Sequence, residues 1–497
     1  MQETDIQKYY NGATVFLTGG TGFLGKILIE KLLRSTEVKM IYILIRDKKG
    51  KNVHSRADEL FDDVIFEVLK KKTPKFRHKI EPIPGDCSIS GLGLTLEDRK
   101  KIITNTNMVF HVAATVRFDE NLKLAYSVNV NAAKEILDLS RQMKNLKSVM
   151  HVSTAYSNCH LKEIDEKFYD YPVNYDDVGV VLEKLTKNEA DDITPRILGK
   201  WPNTYTFTKA LAESLIKKTG NGIPIGIFRP AIVVSTYKEP IPGWIDNMYG
   251  PTGIVAGGSS GLLRVMKNDE SMLADLVPVD TCVAGLIAAA WDVGTQKTER
   301  TVENISIYNY VSSVENPLRW SDFHNINALH GLKYPLTNTF WTSGVKGTKH
   351  EKLYTIYTFL FHFLPAIVMD LVAFVTGNKP RLMEMYRKIH KLVDVISYFS
   401  LREWTFSNDN TKKLFNKLSE KDKLLFPLSI ERVNWYIFFN DYMKGVRKYL
   451  LKDPDDTLQV ALVKAKRINW IDTILKKVIQ GVLVILVWSY VSKIFSY

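Results

Sequence analysis

Residues 13–25 read ATVFLTGGTGFLG. A short apolar run rich in β-branched residues gives way to clustered glycines, and Phe23 to Leu33 then carries Leu and Ile on one helical face. The stretch predicts a strand, a tight turn and a helix. Gly19, Gly22 and Gly25 recur at three-residue spacing as GxxGxxG, with Gly20 as an extra glycine. A turn without Cβ atoms lets backbone N–H groups and the positive helix end approach an anionic pyrophosphate. Gly19, Thr21, Gly22, Phe23, Leu24 and Gly25 are therefore the first cofactor-binding candidates. The alternative, a plain glycine loop, does not explain the strand before it and the helix after it.

A second apolar run, Met40 to Ile45, ends in Arg46, with Asp47, Lys48 and Lys49 behind it. An acidic residue at this place suits a free ribose 2′-hydroxyl and an arginine suits a 2′-phosphate, so Arg46 points to NADPH rather than NADH. Further short apolar runs follow at Ile80 to Pro84, Met108 to Ala113, Ser148 to Ser153 and Ile225 to Phe228. Helical patterns separate them at Arg56 to Lys70, Leu122 to Gln142 and Phe207 to Lys218. This alternation predicts an α/β fold, a Rossmann-type doubly wound parallel sheet.

Chemistry collects at the carboxyl ends of such strands. Asp86, after the third, is placed to accept from an adenine amino group, or else it caps its own turn. The fourth ends in HVAA, where Ala113 and Ala114 let the backbone approach a cofactor; His111 reads as a satisfied strand histidine. The fifth ends in HVSTAY, which offers the hydroxyls of Ser153 and Thr154. Tyr205 and Lys209, in YTFTK, lie four apart at the start of a helical segment and share one face. A phenol is poorly matched to proton transfer at neutral pH, and a neighbouring ammonium favours its ionised form. Tyr205 is thus a candidate proton donor, Lys209 its partner, and Ser153 or Thr154 the hydroxyl that orients a substrate oxygen.

The chain has 497 residues, too many for one core, and 45% are apolar. Its formal charge is +13 and its pI about 9.2. No zinc-finger spacing or recognition helix accompanies that charge, which argues against nucleic acid and for a polyanionic substrate or an anionic membrane. Cys87, Cys159 and Cys282 are far apart and in no metal spacing, so neither a disulfide framework nor a metal site is expected. The polar start, MQETDIQKYYNG, has no signal-peptide core. Near the other end Val478 to Tyr490 is uncharged and apolar, preceded by Lys464, Lys466, Arg467, Lys476 and Lys477. Lys493 is positioned to snorkel, and the pattern predicts a tail anchor with the rest of the chain facing the cytosol. An amphipathic core helix is the alternative. Tyr354 to Thr376 is a second long apolar run, holding only His362 and Asp370 as ionisable groups, with Pro365 near its middle. Lining an acyl tunnel, dipping into one leaflet and crossing as a second span all stay open.

With these motifs in hand, the chain resembles the extended short-chain dehydrogenase/reductases through TGGTGFLG, Arg46, HVAA, HVSTAY and YTFTK. Beyond them, DNMYGPTGIVAGGSSG ending at Gly261, LVPVD ending at Asp280, LPAIVMD ending at Asp370 and FNDYMKGVRKYLLKD ending at Asp453 look like the fatty acyl-CoA reductases. The resemblance implies a long-chain fatty acyl-CoA substrate, NADPH, and a primary fatty alcohol made by way of an aldehyde with release of CoA. It also implies that Lys209 binds the cofactor ribose. Stopping at the aldehyde, a sterol-type dehydrogenase, a nucleotide-sugar epimerase and a non-catalytic lipid scaffold are the competing readings. The expected layout is a reductase domain over residues 1–295 with substrate-side insertions at 161–204 and 236–280, and the rest of the substrate region over 296–350. A smaller, mostly α-helical C-terminal domain over 351–460, with its apolar segment 354–376, and a basic linker and hydrophobic membrane tail over 461–497 complete it. The insertion before Tyr205 is rich in Asp and Glu and reads equally as a lid or a solvated surface segment. The endoplasmic reticulum is the expected address, with peroxisome and lipid droplet open; the oligomeric state is not legible.

Overall fold

The computed structural model describes residues 3–495 apart from Lys49 and Pro172. Lys49, one of the basic residues behind Arg46, and the side chain of Lys493 therefore lie outside the described residues. The chain forms two compact units. One holds Met1–Trp244, Leu273–Leu318 and Arg402–Asn434, and the other Ile245–Met272, Arg319–Leu401 and Trp435–Tyr497.

The first unit is built on a parallel sheet of β1 (Thr14–Thr18), β2 (Met40–Ile45), β3 (Ile80–Pro84), β4 (Met108–His111), β5 (Ser148–Val152), β6 (Ile225–Pro230) and β7 (Ser306–Tyr310). Their spatial order is β7-β6-β5-β4-β1-β2-β3. The order reverses between β1 and β4, which opens a crevice at their carboxyl ends. Helix α1 (Phe23–Ser35) follows the glycine turn. Helices α2 (Ala132–Arg141) and α3 (Thr204–Thr219) bury Ile136, Leu137, Leu211 and Leu215 in one core with Phe16, Val109 and Val149. Helix α4 (Val279–Thr295) packs on β5 and β6. Its Val283, Leu286 and Ile287 are fully buried, each worth about 1.5–3 kcal/mol.

The doubly wound sheet is as the sequence predicts, with local differences; the helical stretch Arg56 to Lys70, for one, breaks at Asp62 and Asp63 between helices at Val53–Phe61 and Glu67–Lys72. The fourth run ends as strand at His111, which leaves Val112 to Ala114 in loop. The helical stretch Leu122 to Gln142 passes through a π-turn at Ser127–Asn131. A seventh strand, Ser306–Tyr310, joins the sheet edge where the sequence shows only short β-like runs among polar turns. In the fold, Asn309 is fully buried and its amide donates to Ile164 O at 3.2 Å and Ser407 O at 2.9 Å, while Glu166 accepts from Asn309 N at 2.9 Å. Partners distant in sequence satisfy those polar groups, and local pattern carries no trace of them. The acidic insertion before Tyr205 forms helices at Tyr175–Lys184 and Lys187–Leu198, which bury Tyr175, Val178 and Leu182 in the sheet's core.

The second unit is largely helical around Ile254, Leu263, Val265, Val393 and Ile396. Arg447 and Asp453, from the last of the family-like segments, form a buried ion pair at 3.0 Å. Asp453 also accepts from Thr337 N at 2.7 Å. The run 351–375 is a continuous helical stretch and, among the described residues, the one helix long and apolar enough to cross a membrane. Its last part is α5 (Leu364–Val375), which turns back into α6 (Leu382–Ser400). Pro365 lies in the first turn of α5, just after a π-turn at Phe359–Phe363, where its missing N–H is tolerated. The chain ends in α7 (Leu458–Phe495), which runs through the predicted tail; Val482, Val484, Ile485 and Trp488 are exposed on it.

Candidate active site

The glycine turn is a cradle that a Cβ would fill. Gly19 has φ +78°, and a Cβ there would stand 2.6 Å from Ala113 N; one on Gly25 would stand 2.2 Å from Gly19 O. The turn, the first turn of α1 and the HVAA backbone are therefore pressed together. Gly22 caps α1 without a side chain. The first N–H groups of the helix, those of Phe23 and Leu24 among them, are left for an anion. Thr21, Ala113 and Ala114 are half-buried around this opening. Thr18 Oγ1 meets His111 Nδ1 at 2.8 Å, so this histidine is satisfied at one ring nitrogen, while its buried Nε2 has no hydrogen-bond partner among the described residues.

Arg46 and Asp86 sit just past the ends of the adjacent strands β2 and β3. The side chain of Arg46 is exposed, and Arg56 donates to its carbonyl. Asp86 Oδ1 accepts from Ser88 N at 2.8 Å and Ser88 Oγ at 2.9 Å, so it caps its turn. Burial and the Asp86 carboxylate push the Cys87 thiol up to about 12, and the Arg46 guanidinium opposes them. Arg46 is thus close enough to the end of β3 for its charge to be felt at Cys87.

The other candidates meet past β5. Asn203 caps α3 by accepting from Thr206 N at 2.9 Å, which fixes the first turn of the helix and with it Tyr205. The Tyr205 ring stacks on Phe118 at 5.9 Å, and the Thr154 hydroxyl, which donates to Pro230 O at 3.5 Å and accepts from Tyr156 N at 3.2 Å, lies near enough to its phenol to favour the ionised form. Lys209 is buried and donates to Val152 O at 2.7 Å. Tyr205, Thr154 and Lys209 are thereby gathered at one strand end. Ser153 is not: its Oγ donates to Glu213 Oε1 at 2.5 Å. Burial pushes the Tyr205 phenol up to about 12 against the effect of the Thr154 hydroxyl. It pushes the Lys209 ammonium down to about 8 against the attraction of Glu213. The sequence argument has the lysine pulling the phenol down; in this structure desolvation is the larger effect.

Two buried groups behind the site are not among the residues the sequence singles out for chemistry. Glu213 and Arg229 are both fully buried and pair through Arg229 Nη2 at 2.6 Å and Nε at 2.9 Å. Arg229 also donates to Asp165 O and Lys167 O, each at 2.9 Å. The helical spacing Tyr205, Lys209, Glu213 was a visible hint, since all three share one face. Asp280, in LVPVD, accepts from the backbone N–H groups of Tyr237, Lys238 and Glu239 at 2.7–3.0 Å. That anchors the loop ahead of Trp244, which stacks on Phe23 at 5.5 Å beside the glycine turn.

Comparisons with known proteins agree with this geometry. A family model described as male sterility protein, NAD-binding, matches residues 17–286, and a second, also described as male sterility protein, matches residues 361–453. "Fatty acyl-CoA reductase wat" of Drosophila melanogaster is 44% identical over 94% of this chain and 90% of its own length. "Fatty acyl-CoA reductase 1" of Mus musculus is 38% identical over 97% of this chain and 92% of its own. Among solved structures, the terminal reductase domain of the myxalamid pathway shares the fold at TM-score 0.57 and 18% identity, covering 90% of this chain and 93% of that one. The reductase domain of a nonribosomal peptide synthetase from Mycobacterium tuberculosis does so at TM-score 0.58 and 15% identity, covering 89% and 95%. With a nicotinamide-binding sheet, a glycine cradle and relatives matched over nearly their whole length, the chain is an oxidoreductase and belongs to the fatty acyl-CoA reductase family.

Proposed function

We propose that the protein reduces long-chain fatty acyl-CoA to the primary fatty alcohol, using NADPH and releasing CoA. The observation that carries this reading is the convergence of Thr154, Tyr205 and Lys209 at the end of β5, in a chain whose curated relatives are named for the acyl-CoA substrate. When bound, the nicotinamide supplies hydride. Thr154 and Tyr205 hold the thioester carbonyl oxygen by hydrogen bonds, and Tyr205 passes its proton to that oxygen as negative charge develops. Lys209 holds the cofactor ribose and supports the tyrosine. As the thiohemiacetal collapses, its hydroxyl returns the proton to Tyr205 and CoA leaves as the thiolate, which takes a proton from water. The oxidised cofactor is exchanged for a second NADPH, and the aldehyde carbonyl takes the place of the thioester against the same two hydroxyls. Tyr205 regains its proton from solvent after the second transfer. One proton donor therefore serves both reductions. Arg46 supports NADPH over NADH, and the excess positive charge suits the CoA phosphates. Gly19, Thr21, Gly22, Phe23, Leu24 and Gly25 would hold the pyrophosphate, and Asp86, Ala113 and Ala114 the flanking groups. We further infer that the tail of α7 anchors the chain in a membrane, with the catalytic domain on the cytosolic side.

The test is oxidation of NADPH by detergent-solubilised protein given palmitoyl-CoA, with products identified by mass. Two NADPH per hexadecanol are expected, with NADH a much poorer donor. One NADPH per aldehyde would remove the second step, and equal use of NADH would remove the role given to Arg46. No turnover on any acyl-CoA would overturn the reading and favour the sterol or scaffold alternatives.

The geometry favours Thr154 over Ser153 as the third member. Thr154→Ala is expected to lower kcat by about 10²–10³, the usual effect of removing one oxyanion donor. Ser153→Ala takes a hydrogen bond from Glu213 and is expected to cost about 1 kcal/mol of stability with kcat nearly unchanged. Steady-state kinetics and thermal unfolding of the two variants decide the assignment, and the opposite pattern would exchange their roles.

A further inference from the structure

Beyond Glu351 and Lys352 at its start, the helical run 351–375 carries His362 and Asp370, and the fold gives both of them partners. His362 is fully buried, accepts from Arg264 N at 2.9 Å through Nε2, and meets His390 Nε2 at 3.0 Å through Nδ1. Asp370 accepts from the N–H groups of Arg381, Leu382 and Met383 at 2.9–3.0 Å and so caps α6. What remains outward on α5 is Leu364, Ile367, Val368, Leu371, Val372 and Val375, at positions i, i+3, i+4, i+7, i+8 and i+11. They are between 42% and 77% exposed. A continuous apolar stripe of this kind, with no charge in it, marks an interaction face.

Two observations identify its occupant as a lipid surface. The turn after α5 carries Lys379 and Arg381, both exposed, and Arg387 is exposed one turn into α6. An apolar stripe bordered by basic residues is the pattern of a helix lying in the headgroup region of an anionic bilayer. The second observation is where α5 begins. Arg264 donates its backbone N–H to His362, its guanidinium lies over the Phe361 ring at 5.1 Å, and it reaches Asp472 of α7 at 3.8 Å. Asp472 also accepts from Trp341 Nε1 at 2.7 Å and pairs with Lys476 at 2.5 Å. The exposed apolar helix α5 and the tail half of α7 thus depart from one clasp. A membrane that receives one has the other at its surface.

We propose that α5 is a second membrane-contacting element, lying in the plane of an anionic leaflet with its Leu364–Val375 stripe among the acyl chains. This rests on the reading of α7 as a membrane tail. The basic turn stays at the headgroups, so α5 does not cross.

The full-length protein is reconstituted in phosphatidylcholine vesicles with and without about 30% phosphatidylserine. Single cysteines at Leu364→Cys, Val368→Cys or Val375→Cys carry an environment-sensitive fluorophore, and Val484→Cys on α7 serves as the reference. Expected are blue-shifted emission at all three α5 positions and stronger quenching by a nitroxide high on the acyl chain than by one at the bilayer centre, in keeping with insertion by about 5–10 Å. The shift is expected to grow with phosphatidylserine, and Lys379→Gln/Arg381→Gln to remove most of that growth. Quenching that deepens steadily from 364 to 375 would mean a crossing helix and overturn the in-plane proposal. Quenching at 484 with none on α5 would overturn the contact itself, and self-association through α5 would then show as a dimer in detergent. No quenching at 484 would instead sink the membrane tail on which the proposal rests.

Discussion

Tyr205→Phe is expected to lower alcohol formation from acyl-CoA by about 10²–10⁴ while leaving the fold intact. The substitution removes one hydroxyl. The ring stays against Phe118, and a single polar contact of this kind is worth about 1 kcal/mol at most. In the proposed mechanism the same phenol protonates the substrate oxygen twice. Reduction of acyl-CoA and reduction of added fatty aldehyde should therefore fall together. NADPH affinity, read by fluorescence, and the thermal midpoint are expected to stay near the parent values. If aldehyde reduction survives while acyl-CoA reduction is lost, the two steps use different donors and the single-site mechanism fails. Burial holds the phenol near 12, so it carries its proton across the working range but is a weaker acid than a free phenol, and the proton moves only as negative charge develops on the substrate oxygen.

Glu213→Ala is expected to cost about 3–5 kcal/mol, because it leaves the fully buried Arg229 guanidinium without its carboxylate. A lowering of the thermal midpoint on the order of 10 °C follows. Glu213→Gln keeps acceptors for Ser153 and Arg229 and is expected to be milder, so it permits a second readout. Burial holds the Lys209 ammonium near 8, and Glu213 is the charge that opposes this. Its His111 and His151 neighbours are held neutral by burial, so Glu213 is the acidic partner the lysine has. Activity that needs the ammonium is lost as pH rises through its pKa. In Glu213→Gln that alkaline limb should move to lower pH. A variant with lowered stability and an unmoved limb would assign Glu213 a purely structural part, that of tying α3 to β6 and Ser153.

The sequence by itself determined the sheet and the cradle. Six strands and the GxxGxxG turn are local patterns, since burial on both faces forces short apolar runs and close backbone approach forces glycines. The pair Tyr205 and Lys209 was legible for a similar reason, because helical periodicity fixes which residues share a face. Other features had no local cause. The edge strand β7 depends on Glu166 and on segment 402–434 to satisfy Asn309. Ser153 and Thr154 are adjacent and chemically alike, and only the buried pair Glu213–Arg229 turns one away from the site and leaves the other beside Tyr205. In sequence, Pro365 and Asp370 in the run Tyr354 to Thr376 count against a clean membrane span. The fold gives His362 and Asp370 partners from Arg264, His390 and the start of α6, and the stripe left outward on α5 is apolar. In each case the deciding interaction joins residues distant in the chain, where burial makes an unmet polar group costly and only tertiary structure supplies its partner.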